Sequence, residues 1–326
     1  MRIKETGLCG ILTIAIVLGV CPALFGAQEA GFPAKPVTII VPFPPGFLDL
    51  GARTISESLS KELKVPVIVE NKPGGAGLVG ATAFQNTNPD GHTLLAASGA
   101  AVISTVQLSK TPTFDPRKDL LPLAYLGDTP CVMAVGKNTS FNSFDEFVQY
   151  AKANPGKLKG AISGLGGEAH IMYESIVRDA KIDTKLVPYP GISGVITGIL
   201  GGHLDWWCGT MPGVLPYHKS GDMRILLMTR RGAELPGVPS GADVGFPDIS
   251  VNVWMALFAH PKTPKPVYDR LVAAVGKAVK DPGISKKLSE AGFTLAYKNP
   301  AELAKLINEQ WAIYARVIKE ANIKVE

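Results

Sequence analysis

The sequence predicts an α/β protein made of two similar lobes of parallel βα units. Short β-branched apolar runs alternate with stretches of helical periodicity, and the alternation occurs twice, in separate runs either side of residue 131. With 46% hydrophobic and 19% charged residues among 326, the chain can fill sizeable cores and is not globally disordered. A net charge of +5 with no dense Lys/Arg run gives no basis for a nucleic-acid partner.

The first residues read as a leader rather than as part of either lobe. Arg2 and Lys4 precede an apolar run over 8–20, and Pro22, Gly26 and Ala27 follow it. That layout predicts a cleaved secretory signal over 1–27 and export to the periplasm. The apolar run is shorter than the roughly 20 residues a spanning helix needs. A lipid-anchored variant at Cys21 is the alternative, with Val20 a poor residue before the cysteine. Removing the leader leaves Cys131 and Cys208 and five scattered His, so no metal-ligand spacing remains.

The first run places strands at 37–41, 65–69 and 93–97. Leu50, Ile55, Leu59 and Leu63 mark the first helix, with Asp49 capping its start, and 77–84 the second. The second run opens with a strand at 132–135 and a capping box, Ser143 to Glu146, that starts a helix ending at 153. Strands at 160–163, 185–188, 204–207 and 224–228 then alternate with helices at 169–180, 194–200 and 214–218. A Gly/Pro-rich loop over 230–247 precedes a strand at 253–259. Thr263-Pro264 and Asn299-Pro300 each open a helix in the tail, which returns to the first lobe.

Catalytic signatures are weak. Gly75-Ala76-Gly77-Leu78-Val79-Gly80 is a complete G-x-G-x-x-G, yet the next strand ends Ala97-Ser98-Gly99 without the acid a dinucleotide ribose needs. A glycine turn with tight helix packing is the better account. Gly191-Ile192-Ser193-Gly194 has the wrong spacing for a nucleophile elbow, and Gly136-Lys137 lacks the rest of a Walker loop. His170, His203 and His218 accompany no nucleophile pattern. The protein is therefore expected to be no enzyme, with no cofactor and no metal.

The glycine-rich loops at strand C-terminal ends remain. Phe43, Pro44, Pro45 and Gly46 lead into one helix, and Ser163, Gly164, Gly166 and Gly167 into another. Open α/β sheets bind ligands on that side, and a helix N-terminus offers unpaired N–H groups and a positive dipole end to a carboxylate. Each loop alone reads as an ordinary βα turn; two of them, one in each lobe, shift the balance toward a ligand site.

The runs Val37-Thr38-Ile39-Ile40-Val41-Pro42-Phe43-Pro44-Pro45-Gly46, Pro66 to Gly74 and Pro89 to Leu95 resemble the receptors of tripartite tricarboxylate transporters, the Bug family. The likeness continues through Val187 to Gly191, Leu200 to Asp205, and Trp254 to Pro261. It implies a type II periplasmic-binding-protein fold, with two doubly wound lobes and a ligand cleft between them. Lobe 1 would be 32–130 plus 252–326 and lobe 2 131–251, hinged near 128–131 and 248–253. It implies further that Phe43 to Asp49 and Ser163 to His170, with Glu168 and His170 in a helix's first turn, hold a small organic acid. Ser98, Gly99, Tyr189, Pro190, Gly191, Gly209 and Thr210 would flank the cleft. Cys131 and Cys208 would lie on antiparallel neighbours near the hinge, as two buried thiols.

The sequence departs from the family pattern where the ligand would sit. Gly46-Phe47-Leu48-Asp49 is one residue shorter than the usual loop and has Phe47 where the family has Gly. Glu168 stands where the family has a small or hydroxylated residue; it either satisfies the helix dipole or faces the cleft and repels a second carboxylate. Trp206-Trp207 replaces aliphatic residues. These departures favour a monocarboxylate or aromatic acid over citrate. The expected function is a monomeric extracytoplasmic receptor that delivers the acid to membrane transporter subunits. The alternative is a ligand-presenting partner of a membrane sensor.

Overall fold

The computed structural model describes residues 31–324 except 111, 113, 190, 233, 234, 291 and 292. The expected leader lies outside them. In chain order the first elements are β1 (Val37–Val41), α1 (Phe47–Leu63), β2 (Val67–Asn71), α2 (Leu78–Gln85) and β3 (Thr93–Ala97). A wide turn over Ala100–Ser104 runs into α3 (Thr105–Leu108), and α4 (Pro116–Asp119) precedes β4 (Leu121–Thr129). The second run is β5 (Cys131–Gly136), α5 (Phe144–Ala153), β6 (Lys159–Ser163), α6 (Glu168–Ala180), β7 (Lys185–Tyr189), α7 (Ile192–Leu200), β8 (Trp206–Thr210), α8 (Met211–Lys219) and β9 (Met223–Met228). The chain returns through β10 (Val253–Ala259), α9 (Lys265–Ala278), α10 (Pro282–Glu290), β11 (Thr294–Lys298) and α11 (Pro300–Glu320).

Two sheets result, ordered β11-β4-β10-β3-β1-β2 and β7-β6-β8-β5-β9. Their central strands are apolar on both faces, as strands covered by helices on both sides must be. Ile39 packs into a core shared with α1 and α9, while its neighbour Ile40 packs into one shared with α2 and α11. In β5, Cys131, Met133 and Val135 face one core and Val132 and Ala134 the other. Trp206 and Trp207 divide the same way, both fully buried, and Trp206 stacks on Tyr173 with centroids 4.4 Å apart.

The chain passes from one sheet to the other between β4 and β5 and returns between β9 and β10. Thr229 ties the two passages together: its hydroxyl oxygen accepts from the Cys131 N–H at 3.0 Å and bonds Asn252. Beside it, Asp128 accepts from Arg230 Nε at 3.1 Å and from Asn252 Nδ2 at 3.3 Å. No helix among the described residues is long and apolar enough to cross a membrane.

Several local expectations are corrected. Gly46, not Asp49, is the N-cap of α1, and Asp49 sits within the first turn. Pro264 is the N-cap of α9 rather than its first residue. The strand expected over 204–207 is β8, two residues further on, so Cys208 lies within it opposite Met133 while Cys131 faces Thr210. Both thiols are free and buried. The glycine turn behaves as expected: Gly77 has φ of 102°, and a Cβ on Gly80 would lie 2.7 Å from Pro42 and from the Lys72 carbonyl. Its role is close helix–sheet packing.

Candidate functional site

Between the two sheets lies a cleft of 500 Å³, within the ordinary range for a small-molecule site. From the first sheet's side it is lined by Phe43, Pro44, Pro45, Gly46, Phe47 and Ser98, and from the second sheet's side by Ser163, Gly164, Gly167, Glu168 and Gly191. These expected residues come together across more than a hundred positions of chain. Leu48, Ala76, Ala100, Leu165, Ile192 and Val253 complete the lining; Leu48 and Leu165 belong to the two expected loops, whereas the sequence reading missed Ala76, Ala100, Ile192 and Val253.

Three helix N-termini converge on this space. Gly46 caps α1, Gly167 caps α6 and Gly191 caps α7, and none of the three glycines supplies a side-chain capping bond. Uncapped first-turn N–H groups need an acceptor, and the positive dipole ends favour an anionic one. No Lys or Arg lines the cleft. α7 starts two residues before the expected 194, because Gly191-Ile192 carries no capping residue to mark a helix start.

The first loop is held from behind. Asp49 is buried and accepts from Arg53 Nε at 3.0 and 3.1 Å. Arg53 in turn donates to Asn71 Oδ1 at 3.1 Å, and Asn71 donates to the Phe43 carbonyl at 3.0 Å. Asp49 therefore braces the loop from behind and stands outside the lining. Phe47 fills the place of a glycine by stacking its ring on Phe293, centroids 3.8 Å apart, while still forming part of the wall.

The second loop is likewise self-bonded. Gly166, at φ of 76°, donates its N–H to His170 Nδ1 at 3.0 Å and lends its carbonyl to the Ser104 hydroxyl. Gly166 is thus no free donor for a ligand, and His170, buried with Nε2 at 3.4 Å from Glu174, is a clamp on the loop rather than a contact. Tyr189 accepts the Gly164 N–H at 3.1 Å and lays its ring against Gly194, away from the lining. Gly99 packs against Tyr314 and Trp254, and Gly209 against the Trp207 ring. With Thr210 they stand outside the lining; Pro190 lies outside the described residues.

Glu168 both faces the cleft and bridges it. Its Oε1 accepts from the Ala100 N–H, on the first sheet's side, at 2.8 Å, and the carboxyl is further bonded by the Ser98 hydroxyl and its own N–H. Burial pushes its pKa above the ordinary 4.5, and the three hydrogen bonds pull the other way.

The chain matches the sequence pattern described as "Tripartite tricarboxylate transporter family receptor" over residues 51–323. It is 30% identical over 300 residues to Protein BugT of Bordetella pertussis, covering 90% of this chain and 92% of that protein. Among solved structures it is similar to one described as a periplasmic transporter, with 33% identity, a TM-score of 0.79, and coverage of 90% of this chain and 100% of that one. It is also similar to MatC from Rhodopseudomonas palustris with bound malate: 28% identity, TM-score 0.75, covering 88% of this chain and 100% of that one.

Proposed function

Because this chain belongs to the family of tripartite tricarboxylate transporter receptors, and is a solute-binding receptor rather than an enzyme, we propose that it captures a small organic acid in the cleft between its sheets and hands it to membrane transporter subunits. It would work as a periplasmic monomer of two lobes, 32–130 with 252–326 and 131–251, after removal of the leader. One observation carries this reading: three helix N-termini with glycine N-caps share a cleft without a basic side chain. Backbone N–H groups and dipole ends suit a carboxylate, and the malate bound by MatC is a ligand of that chemistry. Phe47 in the wall and Glu168 beside the donors favour one carboxylate and an apolar or aromatic body over citrate.

The lobes would close by rotation about the two passages near 128–131 and 248–253. A thermal-shift panel of mono-, di- and tricarboxylates, followed by calorimetry, tests the ligand class, since a ligand at a hundred times its Kd stabilises the fold by about 2.7 kcal/mol. Gly167→Phe supplies the site control. Gly167 has an extended backbone, at φ of −81° and ψ of 179°, and a Cβ there meets nothing within 4 Å. The ring would fill the cleft without straining the fold, so binding should be lost and the circular-dichroism spectrum kept. Undiminished binding by that variant, or citrate binding more tightly than every monocarboxylate, would refute the proposed site or class respectively.

A further inference from the structure

Of the backbone donors facing the cleft, the Ala100 N–H is the one already occupied by a side chain from the opposite sheet. Its acceptor is Glu168 Oε1, and Ser98, only 2% exposed, adds its hydroxyl to the same carboxyl. Glu168 is itself 5% exposed although it forms part of the cleft lining. An N–H and a hydroxyl side by side are the donors that would receive a carboxylate from a ligand reaching across to the first sheet.

We propose that Glu168 is a specificity-determining residue, a tethered carboxyl that permanently fills the acceptor position a second ligand carboxylate would take and so restricts the cleft to acids with a single carboxylate. This rests on the organic-acid reading above and adds the cause of its selectivity. A diacid must displace Glu168, leaving a buried carboxyl without partners, or leave its own second carboxylate unbonded; either outcome costs the penalty of an unpaired buried polar group. The α1 and α7 termini remain open to the first carboxylate. Among ionisable groups of other elements, the Cys131 thiol and the Tyr314 hydroxyl interact electrostatically with Glu168, and Ser98 hydrogen-bonds it. None of them offers a cation that could welcome a further anion.

Calorimetry with butyrate and succinate, a matched pair differing by one carboxylate, tests the assignment on the mature protein and on Glu168→Ala, Glu168→Ser and Glu168→Gln. Freeing the Ala100 N–H and Ser98 hydroxyl in the Ala and Ser variants should shift the succinate-to-butyrate affinity ratio toward succinate by about tenfold or more. The isosteric Gln still occupies the Ala100 N–H and fills the same space beside Ser98, so it should leave the ratio near that of the parent. It carries the test should the shorter variants not fold. An unchanged ratio in folded Ala and Ser variants, or an equal shift in Gln, would overturn the occupancy role, the latter by exposing simple charge repulsion. If the parent binds neither acid nor any other carboxylate, the organic-acid reading itself falls; if butyrate binds and only the ratio fails to move, that reading stands and the role of Glu168 falls.

Discussion

Replacing Glu168 by Gln should uncouple the stability of the protein from one buried titration, and the sign follows from the surroundings of the carboxyl. Desolvation raises its pKa above 4.5 in the folded state, so between 4.5 and the raised value the native protein holds a proton that the unfolded chain has lost. Stability contributed by this group is then fully present below 4.5 and declines as pH rises through the raised value. Gln imitates the protonated form: its amide oxygen can accept the Ala100 N–H, and its amide N–H can meet the Ser98 hydroxyl oxygen. The variant should therefore gain on the parent as pH rises, by about 1.4 kcal/mol for each unit of the raise. That corresponds to a relative gain of about 3–5 °C in Tm per unit for a domain of 150–250 residues. Urea melts of both proteins from pH 4 to pH 8 give the difference directly. Burial raises the Cys131 thiol and the Tyr314 hydroxyl well above their ordinary values, so neither titrates in this range. A parent–variant gap that stays constant, or that moves against Gln as pH rises, would refute the reasoning.

Gly160→Ala would put a Cβ 2.3 Å from the Trp206 ring and 2.5 Å from that of Tyr173; overpacking there should cost about 1–3 kcal/mol in a urea melt, without altering ligand selectivity. Thr229→Val would strand the buried Cys131 N–H between the two passages, lowering stability by about 1–3 kcal/mol, measured the same way. Cys131 and Cys208 are free and fully buried, with both thiols pushed up by desolvation. They should resist a thiol reagent in the native protein, and two thiols should titrate once unreduced protein is denatured; a protected disulfide would appear as none.

Much of the fold was legible because its central strands carry their own signal. In β1 and β5 nearly every residue is apolar, as burial on both faces requires, and turn residues delimit them. The elements that were missed lack such a signal. Pro122 and Gly127 interrupt β4, which nevertheless forms because β10 pairs with it through two register shifts. Pro is tolerated where a ladder is irregular, and the Tyr268 hydroxyl satisfies the Pro122 carbonyl at 2.7 Å. The edge strand β11 has no clean alternation and pairs only with β4. The segment over 100–106 consists of small and β-branched residues that give no helical stripe; its wide turn is fixed by packing against α2 and α11.

The site divides along the same line between local and distant causes. The glycine loops could be read because a βα turn is a local event, and their approach to one cleft follows from the two-sheet topology. Asp49 and His170 enter the expected site because they fall within the two loops that the family resemblance marks. Their partners are nearby in sequence, Arg53 four residues on and Gly166 four residues back, and those bonds turn both side chains inward to brace the loops. Glu168 is the opposite case. Its sequence neighbourhood allowed a dipole-satisfying acid or a cleft-facing one, and the structure shows that it serves in both places, because Ala100, 68 residues away, supplies the N–H that decides its position. A local pattern can nominate such a residue, but whether it meets a ligand or replaces part of one depends on a partner that only the packing of two sheets brings within reach.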